Sequence, residues 1–528
     1  MLERFQAESG ALSARVRDAE GQKRLLHSAI DPELEARDLP LPAIWGDVVL
    51  CLGTGLGYHL RQLPLGPVVV LCDAFPELAK ICMRAMKFPH ANIHTLDASD
   101  SKAVKALRDT FPAQAKIQVI RHPASYRLNA ALLDEVARVW FSSDREKSTP
   151  QKPRVLFLYG QHFLQEEVRH ALEELGCEFK LFEYGFTNEY GQMESLIARE
   201  LQEFRPDILL SINMKGLDPE GIVLDYAKRL GVAVHTWFVD DPRPIALSFG
   251  SQSFAGIHAW SWERAYLPWL VQKGFASPRW LPLAGDPRLF SSQESGVKVR
   301  GLVFTGSAMG DEYLDKIRRS FLWDPRLAPL VEDRSEALLQ GLCTPMTSLD
   351  NVTLPFVDER NRTWLSCLIN HTASHKKRIR FLQPLVNDGV VLAGDSAGWL
   401  RGLGPSIKVI KDVDYRRDLA AHYRTCQVNL NLTSLQMPSA VNQRVFDVPL
   451  VGGFVLTDAQ SDLLELFEPQ ELATFSSREE FVDLARYYLR HEQARQSIVA
   501  QAHARILQRH TYAHRLKDVL AFTSAQAN

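Results

Sequence analysis

The sequence predicts an α/β protein built from three successive blocks, each organised around a parallel sheet. Short apolar strands alternate with helical stretches along the chain, which is the pattern of right-handed βαβ units. Each block opens with a buried strand that leads into a polar or glycine-bearing loop, at 48–55, 154–160 and 301–307. Polar segments at 142–153 and 291–300 interrupt the apolar pattern and separate the blocks.

The remaining elements follow this alternation in order. Short apolar runs are typical of buried strands, and the amphipathic stretches between them are typical of helices. Helices with apolar residues at helical spacing are predicted over 477–521. Further strands are predicted at 68–73 and 92–99 in the first block, 177–184, 206–212, 232–241 and 256–262 in the second, and 389–395, 406–413 and 426–432 in the third.

Composition excludes several functional classes. The chain has 528 residues, enough for three domains, and its formal net charge of −2 gives no global attraction for nucleic acid or anionic membranes. No apolar run approaches the roughly 20 residues that span a bilayer, and the N-terminus lacks a signal-peptide core. Seven cysteines are scattered without metal-binding spacing. We therefore expect a cytoplasmic protein with reduced thiols, no metal site and no membrane span.

The first block places small residues directly after a buried strand. Gly53, Gly55 and Gly57 follow the run VVLCL, and Asp73 ends the next predicted strand. Glycines at such a turn admit a cofactor close to the backbone, and an acid on the next strand can hold its ribose hydroxyls. This arrangement resembles the start of a methyltransferase-type Rossmann domain, which implies an S-adenosylmethionine site. The alternative is a degenerate domain without a cofactor.

The rest of the first block favours the degenerate domain. Segment 117–129, IQVIRHPASYRLN, contains no methyl-transfer motif, and the block is too short for a seven-stranded sheet. The runs GLGYH (55–59) and HPASYRL (122–128) resemble the Maf-type motility accessory proteins linked to flagellin glycosylation. That resemblance implies a domain that positions a protein acceptor or mediates assembly.

Two adjacent carboxylates end a predicted strand of the second block. Asp240 and Asp241 follow VAVHTWFV and precede a proline. At the carboxyl end of a strand, such a carboxylate can take the proton of an acceptor hydroxyl. His162, in the loop after the first strand of this block, and His235 are competing candidates for the same role. The alternative is structural, because Asp before Pro also forms turns and caps helices.

In the third block, the segment 426–458 carries the residues of a predicted anion site. After a buried strand and a polar loop, we expect a short helix that opens near Ser439, with Ser439 as its N-cap. Free N–H groups at a helix start attract phosphate. Arg444 can neutralise a diphosphate, and Asn442 and Asp447 can bond ribose or sugar hydroxyls. The alternative for Arg444 and Asp447 is an ordinary surface ion pair.

Three further residues are expected near this anion site. Gly306 and Ser307 follow the first strand of the third block, where a glycine lets the backbone approach a phosphate and a hydroxyl can donate to it. Thr433 follows the strand 426–432 and can bond a sugar hydroxyl or phosphate oxygen. For all three the alternative is a plain loop without a ligand.

The third block also carries a family signature. NQRVFD (442–447) followed by GGFVLTD (452–458) resembles the donor-site signature of the CgeB-like glycosyltransferases, and WFVDDP (237–242) resembles a run in the same group. This chain has Asp447 where Glu is usual. The resemblance spans roughly 152–520 and implies a GT-B fold of two Rossmann domains. It also implies nucleotide-sugar binding to the third block, with an acceptor reaching in from the second and no divalent metal.

These interpretations predict three domains: 1–148, methyltransferase-like and degenerate; 149–296, the acceptor domain; and 297–528, the donor domain with C-terminal helices. The leading function is a glycosyltransferase that moves a sugar from a UDP-, dTDP- or GDP-linked donor to a protein, such as flagellin, or to a surface glycan. No other cofactor is expected. Two alternatives stay open: an S-adenosylmethionine-dependent methyltransferase fused to a sugar-binding module, and a non-catalytic GT-B scaffold.

Overall fold

The structure is a computed structural model of the chain. It describes residues 2–17, 22–38, 41, 44–64, 66–85, 92–112, 114–141, 153–160, 164–184, 193–219, 221–250, 253–291, 300–354, 358–410 and 413–527. Most of the two predicted linkers, at 142–153 and 291–300, lies outside the described residues, and so does His162.

Two sheets form in the N-terminal part of the chain. Its elements are β1 (Leu2–Gln6), β2 (Leu12–Arg17), β3 (Lys23–Leu25), α1 (Pro32–Asp38), β4 (Val48–Leu52), β5 (Val68–Asp73), α2 (Pro76–Ala85), β6 (Ile93–Asp97), α3 (Ser101–Arg108), β7 (Ile117–Arg121), α4 (Pro123–Leu128) and α5 (Ala130–Phe141), with a 3₁₀ helix at Tyr58–Gln62. Strands β1–β3 make an antiparallel sheet that the apolar pattern did not predict. The other sheet is parallel, in the order β6-β5-β4-β7, and β4 is buried along its whole length.

The middle part of the chain contributes a six-stranded sheet with the order β13-β12-β11-β10-β8-β9. Among the described residues of this part, β13, which runs parallel to β12, is the one strand that the sequence did not predict. The elements are β8 (Arg154–Tyr159), α6 (Gln165–Glu174), β9 (Glu178–Glu183), α7 (Met193–Phe204), β10 (Ile208–Ile212), α8 (Ile222–Arg229), β11 (Ala233–Phe238), α9 (Pro242–Leu247), β12 (Ile257–Ser261), α10 (Leu267–Gln272) and β13 (Ala276–Trp280), with a 3₁₀ helix at Arg264–Tyr266.

The C-terminal part contributes a parallel sheet in the order β16-β15-β14-β17-β18-β19, whose aliphatic residues form a continuous core with the helices around them. Its elements are β14 (Arg300–Thr305), α11 (Asp311–Arg318), α12 (Ala328–Leu339), α13 (Glu359–Leu382), β15 (Val391–Ala393), α14 (Ser396–Leu403), β16 (Lys408–Ile410), α15 (Leu419–Thr425), β17 (Cys426–Asn431), α16 (Arg444–Leu450), β18 (Val455–Asp458), α17 (Leu463–Leu466), β19 (Ala473–Phe475), α18 (Arg478–Arg490), α19 (Glu492–Arg509) and α20 (Tyr512–Ala527), with 3₁₀ helices at Pro325–Leu327 and Gln383–Leu385.

These sheets confirm the predicted α/β class with parallel strands. Helices start where short polar side chains accept backbone N–H bonds: Asp358 caps α13 and Ser477 caps α18. The final helix, α20, packs against the middle sheet, since Phe522 contacts the rings of His258 and Trp260. That contact fixes the C-terminus on elements far away in sequence.

The chain divides into two compact units. Unit 1 comprises Met1–Gly160, Phe179–Leu209 and Gly216–Val234, and unit 2 comprises Gln161–Glu178, Leu210–Lys215 and His235–Asn528. The glycine loop after β4 belongs to unit 1. All residues of the cavity described below belong to unit 2. The division into three domains at 148/149 and 296/297 stays a prediction.

Candidate functional site

A cavity opens in unit 2 at the carboxyl ends of β14 and β17. Its volume is about 340 Å³, within the range of pockets that hold small ligands. Four of the predicted donor-site residues meet at this cavity or in its wall: Gly306, Asn442, Arg444 and Asp447. The complete lining is Val239, Trp262, Leu283, Thr305, Gly306, Val413, Tyr415, Leu419, Tyr423, Gln436, Met437, Asn442, Gln443, Arg444 and Asp447.

Arg444 is the central cation of the cavity. Its Nη1 donates to Asn431 Oδ1 at 3.1 Å, and its guanidinium lies 5.7 Å from the centroid of the Phe304 ring. Gly306 makes room for it, because a Cβ there would lie 2.8 Å from Arg444 Nη2. The φ of +152° at Gly306 also favours glycine. The sequence predicted that a phosphate approaches the backbone at Gly306, and in the structure the side chain of Arg444 does so.

A second guanidinium reinforces this positive charge. Arg378, on α13, is 5% exposed, and its Nη1 donates to the carbonyl of Ser307 at 2.6 Å. Burial, and then repulsion from Arg444, lowers the pKa of Arg378 to about 9. Within the described residues, neither arginine forms an ion pair with a carboxylate, and Nε of each lacks a hydrogen-bond partner. Arg378 does not line the cavity, but its charge acts on Arg444, and cations without a carboxylate partner attract an anion.

The predicted anion cradle at Ser439 is wrong. The short helix begins at Arg444 with Gln443 as its N-cap, four residues later than the predicted N-cap Ser439. The N–H groups of Ser439 and Ala440 donate to Glu263 Oε2 at 2.9 and 2.8 Å, and Ser439 Oγ donates to Oε1 at 2.7 Å. A buried carboxylate of the same chain thus occupies these donors.

Asp447 and Asn442 line the wall with satisfied polar atoms. Asp447 is 1% exposed and accepts from Gln443 Nε2 at 3.0 Å. Burial, together with the nearby carboxylates of Glu167 and Asp286, raises the pKa of Asp447 well above its usual value. Asn442 Nδ2 donates to Asn431 Oδ1 at 2.7 Å. Asp447 is therefore no surface partner of Arg444, since it lies in the interior.

Two other predicted donor-site hydroxyls bond to their own chain. Ser307 Oγ donates to Asp395 Oδ2 at 2.9 Å, and Thr433 Oγ1 donates to Asp458 Oδ1 at 2.7 Å. Asp458 is also paired with Lys377 at 2.6 Å. Neither hydroxyl belongs to the cavity lining. These contacts shape the loops after β14 and β17.

The aromatic part of the lining was not predicted. Tyr415 and Tyr423 face the cavity with the aliphatic side chains of Val413 and Leu419, and Tyr415 donates to Glu167 Oε1 at 2.7 Å. Flat aromatic walls suit a planar ring such as a nucleobase. Arg378 and Glu263 were also missed, and the only sequence signal was the basic run Lys376-Lys377-Arg378.

The two adjacent carboxylates after β11 have different surroundings. Both oxygens of Asp241 are held by Arg243, at 2.7 Å to Nη2 and 3.0 Å to Nε, and Asp241 also caps α9. Asp240 is solvent-accessible and accepts from Asn213 Nδ2 at 2.8 Å. Although part of Asp240 is open to solvent, desolvation of its carboxylate by the surrounding protein raises its pKa. Of the two, Asp240 has the geometry of a proton acceptor.

His235 is a core residue. It is fully buried, its Nδ1 accepts from Trp260 Nε1 at 3.0 Å, and its Nε2 lies 3.0 Å from Thr523 Oγ1. Burial lowers its pKa to about 3. Both ring nitrogens are thus engaged, which argues against proton transfer. His162 lies outside the described residues and stays a prediction.

The glycine loop of unit 1 is packed against its own chain. A Cβ at Gly53 would meet the backbone of Tyr126 at 2.7 Å, and one at Gly55 would meet His27 and His122 at 2.6 and 2.9 Å. A Cβ at Gly57 would lie 2.5 Å from Cys82 Sγ.

Asp73 is likewise occupied. It is 1% exposed, and it accepts from the N–H of Thr54 at 2.6 Å and from Ser125 Oγ at 2.8 Å. The glycines and the acid therefore serve internal packing at the positions where a cofactor was considered.

The described residues carry neither a cluster of metal-ligating side chains nor a long apolar helix. No group of three or more His, Cys, Asp or Glu side chains is arranged to hold a metal ion there. In the same part of the chain, every helix is too short or too polar to cross a bilayer.

Comparison with known proteins links one segment to sugar transfer. Residues 376–521 match the family model described as "Glycosyl transferase-like", so this segment is glycosyltransferase-like in sequence. It includes Arg378, Asn431, Arg444 and Asp447. No curated protein matches the chain.

Solved glycosyltransferase structures are similar to the chain at low identity. Sucrose-phosphate synthase from Thermosynechococcus elongatus is 10% identical, with a TM-score of 0.42 over 71% of this chain and 100% of that one. Anabaena HepE in complex with UDP-glucose is 13% identical, with a TM-score of 0.42 over 71% and 100%. T4 phage β-glucosyltransferase is 9% identical, with a TM-score of 0.39 over 70% and 98%.

Proposed function

We propose that this protein is a glycosyltransferase that binds a nucleotide sugar in the cavity beside Arg444. One observation carries the proposal: Arg444 lines the cavity at the carboxyl ends of parallel strands, the charge of the buried Arg378 acts on it, and neither guanidinium forms an ion pair with a carboxylate among the described residues. In open α/β sheets, ligands bind at this edge. A diphosphate between sugar and nucleoside supplies the missing negative charge, and it is the group that leaves during transfer.

The cavity also suits the other parts of such a donor. The tyrosines and aliphatic side chains at one wall suit a base, and Asp447 with Asn442 offers acceptors and donors to hydroxyl groups. The match of 376–521 to a glycosyl transferase-like family supports the same assignment, since the polar residues named here fall inside it. Donors of the UDP, dTDP or GDP class are the first candidates.

Asp240 is the proposed general base. It is solvent-accessible, it follows a strand of the middle sheet, and one of its oxygens is fixed by Asn213. Asp241 is tied to Arg243, so a structural role fits it better. His162 remains a secondary candidate on sequence grounds alone.

The finer assignment rests on sequence resemblance. The signature at 442–458 supports the CgeB-like subtype, and the runs at 55–59 and 122–128 support a protein acceptor such as flagellin. Because arginines supply the positive charge for the phosphates, the reaction proceeds without a divalent metal. We place the reaction in the cytoplasm. The packed glycine loop of unit 1 favours this proposal over a methyltransferase.

Calorimetry against a panel of UDP-, dTDP-, GDP- and CMP-linked sugars tests the proposal. One of the first three classes should bind, and Arg444→Ala should weaken that binding at least about tenfold, the equivalent of one charge-assisted contact. Arg401→Ala is the matched control, because Arg401 is exposed and lies outside the cavity lining. Binding of CMP-sugars alone, or an unchanged affinity in Arg444→Ala, would contradict the proposal.

A further inference from the structure

A strained turn follows β10 in unit 2. Asn213 and Met214 both have left-handed backbone conformations, with φ of 53° and 57°, and both are buried. Outside glycine this conformation is unfavourable, although Asn tolerates it better than most residues. Two such residues in succession persist only when surrounding contacts hold them, and such strain gathers at functional sites.

The contacts that hold this turn come from β11 and the residues after it. The N–H of Asn213 donates to the carbonyl of Trp237 at 3.0 Å, and the N–H of Met214 donates to Thr236 Oγ1 at 2.9 Å. The N–H of Val239 donates to Asn213 Oδ1 at 2.9 Å. The turn is therefore built on the same strand that leads to Asp240.

This arrangement fixes the orientation of the Asn213 amide. Because Oδ1 accepts from Val239, Nδ2 points to the other side and donates to Asp240 Oδ2 at 2.8 Å. Lys215, the next residue but one, carries the positive charge that acts on the same carboxylate. One oxygen of Asp240 is thus held while the side chain stays open to solvent.

We propose that Asn213 is a positioning residue that orients Asp240, with the charge of Lys215 acting on the same carboxylate, an inference that rests on the proposed glycosyl transfer. In that step Asp240 takes the proton of the acceptor hydroxyl, and the oxygen of this hydroxyl forms a bond to the anomeric carbon of the donor sugar. The bond from this carbon to the diphosphate oxygen breaks, and its electron pair leaves with the nucleoside diphosphate. A base held by an orienting group is a recurrent catalytic arrangement.

The charges around Asp240 make the effect measurable. Lys215 and the Asn213 amide lower its pKa, whereas burial and the neighbouring Asp241 raise it. Tyr313, on α11, faces the same carboxylate and has a raised pKa, so it is neutral near pH 7. Loss of the Asn213 or Lys215 contribution should therefore move the pKa of Asp240 upward.

Activity is tested by hydrolysis of UDP-glucose, dTDP-glucose and GDP-glucose, with water as acceptor. The variants are Asn213→Asp, Asn213→Gly and Lys215→Met, since Asp and Gly both tolerate the left-handed backbone. The acid limb of the kcat profile should move to higher pH by about one unit in Asn213→Asp and Lys215→Met, with donor KM unchanged. Asn213→Gly should lose most of kcat. Asn351→Asp and Asn351→Gly, at an exposed left-handed asparagine with φ of 58°, should match the wild type.

A titration of ¹³Cγ-aspartate-labelled protein, with Asp240→Asn for assignment, separates this inference from the proposed function. If the wild type hydrolyses no donor, the proposed function fails, and the Asp240 titration midpoint still decides whether Asn213 and Lys215 act on it. Equal midpoints in the wild type, Asn213→Asp and Lys215→Met would overturn the inference. A shifted midpoint with a shifted acid limb would support it.

Discussion

The Glu263 carboxylate holds Ser439, with Oε1 2.7 Å from the Ser439 hydroxyl and Oε2 2.9 Å from its backbone nitrogen. Glu263 follows β12 of the middle sheet, and Ser439 lies in the loop between β17 and α16. This loop carries Gln436 and Met437 in the cavity lining, so Glu263 fixes one wall of the candidate donor site.

Removal of this carboxylate should destabilise the protein. Glu263 is fully buried, and Glu263→Ala leaves the Ser439 and Ala440 donors without an acceptor. We expect the free energy of unfolding to fall by about 2–4 kcal/mol, measured by urea titration. Glu465→Ala, which removes a glutamate with 56% side-chain exposure, should change it by less than about 0.5 kcal/mol. Equal losses in the two variants would contradict the role of Glu263.

Gly306→Ala should displace Arg444 and weaken nucleotide binding. The added methyl group would lie 2.8 Å from Arg444 Nη2. Loss of one charge-assisted contact predicts at least about a tenfold rise in the Kd of the nucleotide sugar, measured by calorimetry. Gly341→Ala is the matched control: it also has positive φ, at 72°, but no atom within 4 Å of the new Cβ. It should lose some stability and keep its affinity, and the same affinity in both variants would count against the prediction.

Sequence pattern was sufficient to bring Gly306, Asn442 and Arg444 to one cavity, because the carboxyl ends of parallel strands share an edge of the sheet. It was not sufficient for Ser307 and Thr433, which also follow strands but bond to Asp395 and Asp458. Helix starts were less predictable. Ser439 has the composition of an N-cap, but its bonds go to Glu263, 176 residues away, and such a partner leaves no local signal.

Long-range packing also determines whether the first glycine loop has space for a cofactor. Gly53, Gly55 and Gly57 have the spacing of a cofactor loop, and their positive φ values of 72°, 50° and 80° show why glycine is needed. The space in front of them is filled by the side chains of His27, His122 and Cys82 and by the backbone of α4. A sequence motif specifies the backbone conformation of such a loop, whereas the tertiary fold decides whether a ligand can enter.

This packing predicts that S-adenosylmethionine does not bind. Addition of the cofactor should leave the melting temperature unchanged. Asp73→Ala should lower the free energy of unfolding by about 2–4 kcal/mol, because the Thr54 N–H and the Ser125 hydroxyl lose a buried acceptor. Asp109→Ala, at an exposed position of unit 1, should leave it nearly unchanged. Cofactor binding that disappears in Asp73→Ala would revive the methyltransferase alternative.

Chelation should leave donor turnover intact. Arg378 and Arg444 bring two positive charges to the site, which is the charge that a divalent cation would otherwise supply to a diphosphate. Turnover of the nucleotide sugar that binds best should therefore be equal with and without EDTA. As a positive comparison, Arg444→Ala should lose turnover under both conditions. A loss in EDTA that Mg²⁺ or Mn²⁺ restores would disprove metal independence.

Three buried histidines predict acid sensitivity of unit 1. The ring of His122 lies 4.4 Å from that of His27 and 4.9 Å from that of His59. Both ring nitrogens of His59 lack a partner among the described residues. Burial, and then repulsion from His27, lowers the pKa of His59 to about 3, and burial also lowers the pKa of His122.

The sign of the effect follows from the unfolded state. An unfolded histidine has a pKa near 6.5, so it binds a proton before the folded ring does, and unfolding is favoured as pH falls below about 6.5. Between pH 7 and pH 5 the His59 ring alone should lower the free energy of unfolding of the wild type by about 2 kcal/mol. In urea unfolding, the free energy of unfolding of His59→Leu should fall over the same pH range by about that amount less than the wild-type value does. His94→Leu, at an exposed position of β6, should retain the wild-type pH dependence, and parallel curves for all three proteins would show that His59 does not titrate on unfolding.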